Sequence, residues 1–285
     1  MYMPSQIKAL FKKEDIRIKK RLGQNFLVDK KYLKQIIDSC NITKADSVLE
    51  IGSGMGALTE PLSLICKRLI AVELDKGLCA ILKRRFVNDR NVEVVCADIL
   101  KYSLQLKAYS LQLKIIGNLP YYITSPVITY LIDNRKYIES AFITIQKEVA
   151  ERLVARPGKK TYGSLSCFVQ FYCKPKILLH IPKRAFYPQP AVESTLVELK
   201  FLKKPPVEVR DETLFFKIVK AAFNKRRKTI LNALSSSNQL KLDKEKIAKV
   251  LSNSAIDPSR RGETLSLEEL ASLLNWLLAS GDLAS

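Results

Sequence analysis

The motif Asn118-Leu119-Pro120-Tyr121 has the residue types needed to hold the exocyclic amine of an adenine during a reaction. That amine is conjugated to the purine ring and is a poor nucleophile, so chemistry on it gains from two acceptors that direct its lone pair outward. The Asn118 side-chain oxygen and the Leu119 carbonyl are such acceptors. Pro120 favours an extended Leu119, and Tyr121 offers a flat ring on which a base can stack. Taken alone, the motif is also typical of a strand that ends in a proline turn.

A second group of residues could bind a nucleoside cofactor. The loop Glu50-Ile51-Gly52-Ser53-Gly54-Met55-Gly56 allows a tight turn and a close backbone approach to a ligand. Its G-x-G-x-G spacing departs from the dinucleotide fingerprint, and its glutamate suits a cofactor with a cationic amino-acid end. Glu73 is placed to accept from both hydroxyls of a ribose, and Asp98 can accept from the adenine amino group of the same cofactor. Each acid alone is also typical of a strand-end turn or a helix cap.

The elements that position these residues are predicted from alternating β-rich and amphipathic runs. Strands are predicted at residues 47–51, 69–74, 92–97, 114–119 and 141–145, and helices at residues 57–67, 76–86 and 126–134. Ser125 is the expected N-cap of the last of these helices, and Pro126 lies in its first turn. The pattern predicts an α/β fold with a parallel sheet between helices. Ligands bind at the carboxyl ends of such strands, where the loop, Glu73, Asp98 and Asn118 all fall.

The sequence as a whole predicts that the chain has three parts. A basic N-terminal arm covers residues 1–35, with ten Lys or Arg against three acids, and is expected to be partly disordered without a partner. A catalytic domain covers residues 36–204. Its last predicted elements are a helical stretch through residue 148, a helix at residues 162–172, and an antiparallel pair of strands at residues 176–181 and 195–201. The run Lys203-Lys204-Pro205-Pro206 breaks this pattern, and residues 205–285 are helical in period.

Composition indicates a polyanionic partner. The 285 residues include 48 Lys or Arg and 28 Asp or Glu, a formal net charge of +20, which fits nucleic acid better than a membrane. The cluster Lys225, Arg226, Arg227 and Lys228 is predicted to contact RNA phosphates, although such a cluster is also typical of a solvated helix face. The sequence has no long uncharged apolar run and no secretory signal pattern, so a cytoplasmic protein is expected.

The metal-ligating residues do not form a recognisable site. Six cysteines include no C-x-x-C pair, and His180 is the only histidine. Scattered cysteines are expected to be small core residues, and His180 to be packed or hydrogen-bonded. No metal cofactor is predicted.

Several motifs together resemble the KsgA family of S-adenosylmethionine-dependent rRNA adenine N6-dimethyltransferases, over nearly the whole chain. The motifs that carry the resemblance are Arg21-Leu22-Gly23-Gln24-Asn25-Phe26-Leu27, residues 50–59, Val72-Glu73-Leu74-Asp75, Asn118-Leu119-Pro120-Tyr121, residues 146–153, residues 162–166, residues 186–194, residues 223–229 and residues 261–266. Two positions depart from the pattern. Gly262 stands where alanine is more usual, and Ser53 where proline is common.

The resemblance implies a class I methyltransferase fold with a small helical C-terminal domain, residues 205–285, that binds RNA. It implies that the methyl donor S-adenosylmethionine is surrounded by Asn25, Leu27, Gly52, Gly54, Glu73, Asp98 and Asn118. It further implies that Phe186 and Tyr121 sandwich a target base that has left its stack. The implied substrate is a pair of adjacent adenines in the 3′-terminal hairpin loop of small-subunit rRNA, which are dimethylated within the assembling small ribosomal subunit. A monomer is the expected form.

Three alternatives stay open at this point. A large-subunit rRNA methyltransferase shares the catalytic core, although the tail Arg261-Gly262-Glu263-Thr264-Leu265 is more similar to the small-subunit family. A DNA adenine methyltransferase shares the N-x-P-Y motif but usually carries a separate target-recognition domain, which is not apparent here. A non-catalytic rRNA-binding assembly factor on the same fold is the third, because fold alone does not imply activity.

Overall fold

The computed structural model describes residues 3–16, 23–104, 112–225, 227–240 and 242–279. The chain forms two compact units. The first contains Met1–Ala150 and Lys174–Phe201, and the second contains Glu151–Cys173 and Leu202–Ser285. The catalytic domain predicted from the sequence includes residues 151–173, whereas these residues pack with the C-terminal helices in the structure. The ring centroids of Phe171 and Phe215 are 5.2 Å apart, so aromatic packing joins this segment to the C-terminal helices of the second unit.

A mixed sheet forms the centre of the first unit. In the described part of the chain the strands are β1 (Phe26–Leu27), β2 (Ser47–Ile51), β3 (Arg68–Glu73), β4 (Val92–Cys96), β5 (Leu113–Asn118), β6 (Ile138–Gln146), β7 (Cys173–Ile181), β8 (Phe186–Tyr187) and β9 (Ser194–Phe201). The large sheet has the order β4-β3-β2-β5-β6-β9-β7, and β1 pairs separately with β8. Neighbouring strands from β4 to β6 are parallel, and β9 is antiparallel to β6. All five residues of β2 are buried, as expected for a central strand covered on both faces.

Helices connect these strands and form the second unit. Those described are α1 (Pro4–Lys13), α2 (Lys30–Ser39), α3 (Thr59–Ile65), α4 (Lys76–Arg85), α5 (Thr124–Asp133), α6 (Lys147–Leu153), α7 (Ser164–Tyr172), α8 (Glu212–Asn224), α9 (Ile230–Ser235), α10 (Lys244–Asn253) and α11 (Leu267–Ala279). The α/β fold class predicted from the sequence is confirmed. Within the described residues, no helix combines the length and apolar character needed to cross a membrane.

Two local predictions are wrong. Helix α5 begins at Thr124 with Ile123 as its N-cap, so Ser125 lies inside the helix. A short helical turn at Tyr121–Ile123 leads directly into α5 and moves its start towards the N-terminus. The expectation of a partly disordered arm is wrong for residues 3–16, which form α1 and the turn after it, because Ile7 and Phe11 lie four residues apart and bury one face of the helix.

The cysteines follow the prediction only in part. Cys40, Cys66, Cys167 and Cys173 are buried, as expected of small core residues. Cys79 of α4 and Cys96 of β4 instead form a disulfide, with Cα atoms 5.8 Å apart. Packing of α4 beside β4 brings the two residues together, and their separation along the chain gives no sign of it. His180 is hydrogen-bonded as predicted, with Nδ1 3.0 Å from Thr195 Oγ1.

Candidate active site

A cavity of about 310 Å³ lies in the first unit, at the carboxyl ends of β2, β3, β4 and β5. The ends of these strands contribute Glu73 and Asn118 to its lining, and the residues that follow β2 and β4 contribute Gly52 and Asp98. The structure brings together every residue predicted to contact the cofactor or the base, namely Asn25, Leu27, Gly52, Gly54, Glu73, Asp98, Asn118, Leu119, Pro120, Tyr121 and Phe186. Arg21 and Leu22, which open the N-terminal motif, lie outside the described residues.

The glycine loop depends on backbone conformations that favour glycine. Gly52 has a φ of 71° and Gly54 a φ of 58°, both in the left-handed region where a side chain is strained. The Gly52 N–H donates to the Val72 carbonyl at 2.9 Å, which ties the loop to β3. Because these two glycines have no side chains of their own, a ligand can approach the loop backbone closely.

Glu73 is held by two backbone donors. The Gly54 N–H donates to Oε2 and the Asp75 N–H donates to Oε1, each at 2.8 Å. Burial raises the pKa of Glu73, and these backbone hydrogen bonds oppose that shift. The carboxylate is thus fixed at the end of β3, and its oxygens retain lone pairs that can accept from ribose hydroxyls.

Glu50 is the most buried carboxylate in the lining. It is 1% exposed, and Thr59 Oγ1 donates to its Oε2 at 2.6 Å. Burial raises the pKa of Glu50 to about 7, and the nearby Glu73 adds to the increase. Such a carboxylate gains from a cation placed close to it, because a positive charge stabilises its ionised form.

Asp98 has a local structural role as well as its place in the lining. Its side chain accepts from the Leu100 N–H at 3.0 Å and caps the short helical turn at Ile99–Lys101. The cap orients the side chain without using all of its capacity to accept hydrogen bonds.

Asn118 is oriented by the N-terminal segment. Its Nδ2 donates to the Asn25 carbonyl at 2.9 Å, so Oδ1 is the amide atom left to accept from a substrate amine. The Leu119 N–H donates to the Thr144 carbonyl at 3.1 Å, which anchors the backbone beside β6. The two predicted acceptors of the motif are thereby held on a rigid strand end.

Tyr121 and Phe186 both line the cavity and are held by different contacts. The Tyr121 hydroxyl lies 2.8 Å from Ser194 Oγ, and burial raises the pKa of Tyr121. Phe186 is 3% exposed and pairs with Leu27 in the β1–β8 sheet. Phe186 therefore also belongs to the core, where Leu27 packs in the same apolar cluster.

Comparison with known proteins identifies the family. Residues 16–273 match the model of the ribosomal RNA adenine dimethylase family. The chain belongs to the ribosomal RNA adenine dimethylase family. The resemblance predicted from the motifs is thus confirmed.

Relatives of this dimethylase family member cover almost its whole length. The ribosomal RNA small subunit methyltransferase A of Alkaliphilus oremlandii is 46% identical over 278 residues, which are 96% of each chain. The protein of the same name from Bacillus mycoides is 41% identical over 282 residues, again 96% of each chain.

Solved structures agree with the class I methyltransferase fold. A dimethyladenosine transferase from Plasmodium falciparum has a TM-score of 0.79 and 25% identity, covering 90% of this chain and 98% of that one. The 23S rRNA methyltransferase ErmE has a TM-score of 0.70 and 23% identity, covering 89% of this chain and 99% of that one. The second match shows the fold alone.

The predicted RNA-binding cluster of this dimethylase lies in the second unit. Lys225, Arg227 and Lys228 are exposed between α8 and α9, and the Lys228 N–H donates to the Lys225 carbonyl at 2.9 Å. Arg226 lies outside the described residues. The three described cations are available to solvent, as phosphate contact requires.

Sequence reasoning missed apolar residues that line the cavity. Phe26, Met55 and Leu78 are buried and form part of its wall. Their types are those of ordinary core residues, so only their places beside Asn25, within the glycine loop and after Glu73 could have suggested a role.

Proposed function

We propose that this protein transfers methyl groups from S-adenosylmethionine to N6 of two adjacent adenines in the 3′-terminal hairpin loop of small-subunit rRNA. The observation that carries the proposal is the single cavity that holds both the N-L-P-Y motif and the glycine loop with Glu73. Relatives named small subunit methyltransferases, 41% and 46% identical over nearly the whole chain, support the choice of substrate.

The residues present fit the methyl donor. Gly52 and Gly54 leave room for the donor to lie close to the loop backbone. Glu73 accepts from the ribose hydroxyls of the donor, and Asp98 accepts from its adenine amino group. Glu50 supplies a buried negative charge for a cationic amino-acid end. When bound, S-adenosylmethionine supplies a methyl group on a sulfonium, which is already a strong electrophile.

The residues of the chain position the target amine, and none of them has to accept its proton. Asn118 Oδ1 and the Leu119 carbonyl accept from the two hydrogens of the target amine and direct its lone pair at the methyl carbon. Tyr121 and Phe186 hold the flipped base from two sides. The amine proton leaves to water after attack, so no side chain has to remove it. A second transfer follows when the monomethylated amine turns and presents its lone pair again.

The cationic residues set affinity for the rRNA rather than the choice of base. Exposed Lys225, Arg227 and Lys228 would neutralise phosphates, which carry no sequence information. Arg226 is proposed to join them. We place the reaction in the cytoplasm, on the assembling small subunit, with a monomer as the active form because one chain supplies all the proposed site residues.

A single comparison tests the proposal. The protein is incubated with labelled methyl donor and either unmethylated small subunits, large subunits or duplex DNA, and the labelled nucleotides are mapped. We expect label only in two adjacent adenines of small-subunit rRNA. Label confined to large subunits or DNA would overturn the substrate. Absence of label in all three, with donor binding intact, would favour the non-catalytic assembly factor.

A further inference from the structure

Helix α1 lies behind one wall of the cavity. Phe26, Met55 and Leu78 line the cavity, and the same three residues form an apolar cluster with Ile7 and Phe11 of α1. No residue of α1 lines the cavity itself. The helix can therefore affect a bound ligand only through the wall that it supports.

The contact between Phe11 and Phe26 is the centre of this cluster. Their ring centroids are 5.6 Å apart with an interplanar angle of 83°, an edge-to-face arrangement. Phe11 is 6% exposed and Phe26 is 8% exposed. The Phe26 ring also contacts the glycine loop, since a Cβ on Gly54 would lie 3.4 Å from ring atoms Cδ1 and Cε1. Phe26 is thus held between α1 and the loop.

The segment that follows α1 reaches the other side of the same site. A Cβ on Gly77 would lie 3.1 Å from Ile16 Cδ1, so Ile16 packs on the first turn of α4. In that turn the Gly77 N–H donates to Asp75 Oδ1 at 2.9 Å, and the Asp75 N–H donates to Glu73. Glu14 forms an ion pair with Arg84 further along α4. The described N-terminal residues therefore reach the glycine loop through Phe26 and contact directly the helix turn next to Glu73.

We propose that α1 positions the methyl-donor site, with Phe11 as the positioning residue that acts through Phe26. The identity of the ligand rests on the proposed function. Phe11 keeps the Phe26 ring pressed on the glycine loop, so the loop and the Glu73 carboxylate are in their binding geometry before the donor arrives. Without that support the donor has to order the wall as it binds, which weakens its affinity.

The test is a binding measurement that does not depend on rRNA. S-adenosylhomocysteine is titrated by calorimetry into the full-length wild-type protein and into Phe11→Ala, Phe11→Leu and Ile138→Ala. Ile138 is 1% exposed, lies at the start of β6 and does not line the cavity, so Ile138→Ala controls for loss of stability alone. Measurements are made well below the unfolding temperature of each variant.

We expect Phe11→Ala to raise the Kd about tenfold, Phe11→Leu to recover much of the affinity, and Ile138→Ala to keep the wild-type Kd. In turnover assays Phe11→Ala should raise the KM for S-adenosylmethionine and leave kcat at saturating donor within about twofold. An unchanged Kd in Phe11→Ala, or equal increases in Phe11→Ala and Ile138→Ala, would overturn the proposal. If Phe11→Ala does not fold, Phe11→Leu decides by the same comparison with Ile138→Ala. Failure of the wild-type protein to bind S-adenosylhomocysteine would instead overturn the proposed function, and this inference with it.

Discussion

Leu27 lies directly opposite Phe186 in the antiparallel pairing of β1 with β8. One residue comes from the segment proposed to contact the methyl donor, and the other is the proposed wall for the target base. The Val28 N–H extends this pairing by donating to the Ala185 carbonyl at 2.8 Å. Backbone hydrogen bonds therefore hold the donor side and the base side of the cavity in a fixed register.

Replacing Asn118 by alanine should abolish most turnover and spare donor binding. The variant loses the Oδ1 acceptor that directs the amine, whereas the carboxylate of Glu73 is untouched. We expect kcat to fall by about 100-fold or more, by analogy with the loss of one preorganised polar group at a reacting centre, and the Kd for S-adenosylhomocysteine to change by less than about fivefold. Single-turnover assays and calorimetry measure the two quantities. The control is Asn88→Ala, which changes an exposed asparagine of the same unit. Near-normal turnover of Asn118→Ala would show that Asn118 takes no part in the mechanism.

Replacing Glu73 by glutamine should weaken donor binding. The two carboxylate oxygens accept from the Gly54 and Asp75 N–H groups, and an amide has only one oxygen to serve both. We expect the Kd for S-adenosylhomocysteine to rise by about tenfold or more. Glu139→Gln, at an exposed position of β6, should bind like the wild type. Equal affinities of the two variants would argue against Glu73 as a ribose acceptor.

Glu50 should make stability depend on pH. Its pKa is raised from 4.5 to about 7, so between these values the native state holds a proton that the unfolded chain has released. The contribution of Glu50 to the free energy of unfolding therefore falls as pH rises through this window and is constant above it. Relative to wild type, Glu50→Gln should be more stable at pH 7.5 than at pH 5.0 by on the order of 2 kcal/mol. Urea denaturation of wild type, Glu50→Gln and Glu139→Gln at both pH values checks this, and parallel pH profiles for all three would refute it.

Neutralising Arg227 and Lys228 should reduce both the affinity for small subunits and its salt dependence. Each lost phosphate contact lowers the slope of log K against log salt by about 0.7 to 0.9. Lys203→Gln with Lys204→Gln removes the same charge from two other exposed residues of the second unit and is the matched control. Filter binding between low and moderate salt measures the slopes. Identical slopes for the two double variants would show that the cluster is only a solvated surface.

Gly262 should not tolerate alanine without a change in the second unit. A Cβ at this position would lie 2.3 Å from the Ala222 carbonyl oxygen in α8, closer than atoms can approach. The turn at Gly262–Thr264 would have to move away from α8, so we expect Gly262→Ala to lower the free energy of unfolding by about 1–3 kcal/mol. Gly163→Ala has nothing within 4 Å of the added methyl and should be nearly neutral. Thermal unfolding of both variants tests the difference, and equal midpoints would contradict it.

Much of the cavity lining was predictable from the sequence because polar residues stand at the ends of apolar runs. Glu73, Asp98 and Asn118 each close a β-rich segment, and parallel strands bring such ends to one edge of a sheet. This logic needs only local patterns, and the strand bounds differ from the predicted ones by a few residues.

The features that were missed depend on contacts between distant parts of the chain. Strands β1 and β8 have two residues each, too few to show alternation. The lysines of α1 suggest a solvated arm, and the burial of Ile7 and Phe11 becomes evident only when Phe26 is beside them. The disulfide between Cys79 and Cys96 likewise follows from the packing of α4 on β4.

The strand order also determines when the site can be completed during synthesis. Strand β9 lies between β6 and β7 in the large sheet, and β8 is the partner of β1. Strands β6 and β1 therefore leave the ribosome before β9 and β8, their respective antiparallel partners. A nascent chain that ends before β8 contains the glycine loop, Glu73, Asp98 and Asn118 but lacks Phe186 and the backbone partner of Leu27. Because domains fold as their sequence becomes available, binding of the methyl donor in its final geometry should follow release of residue 201 from the exit tunnel. Of the residues that line the cavity, Phe186 of the proposed base-binding wall would thus be the last to be synthesised.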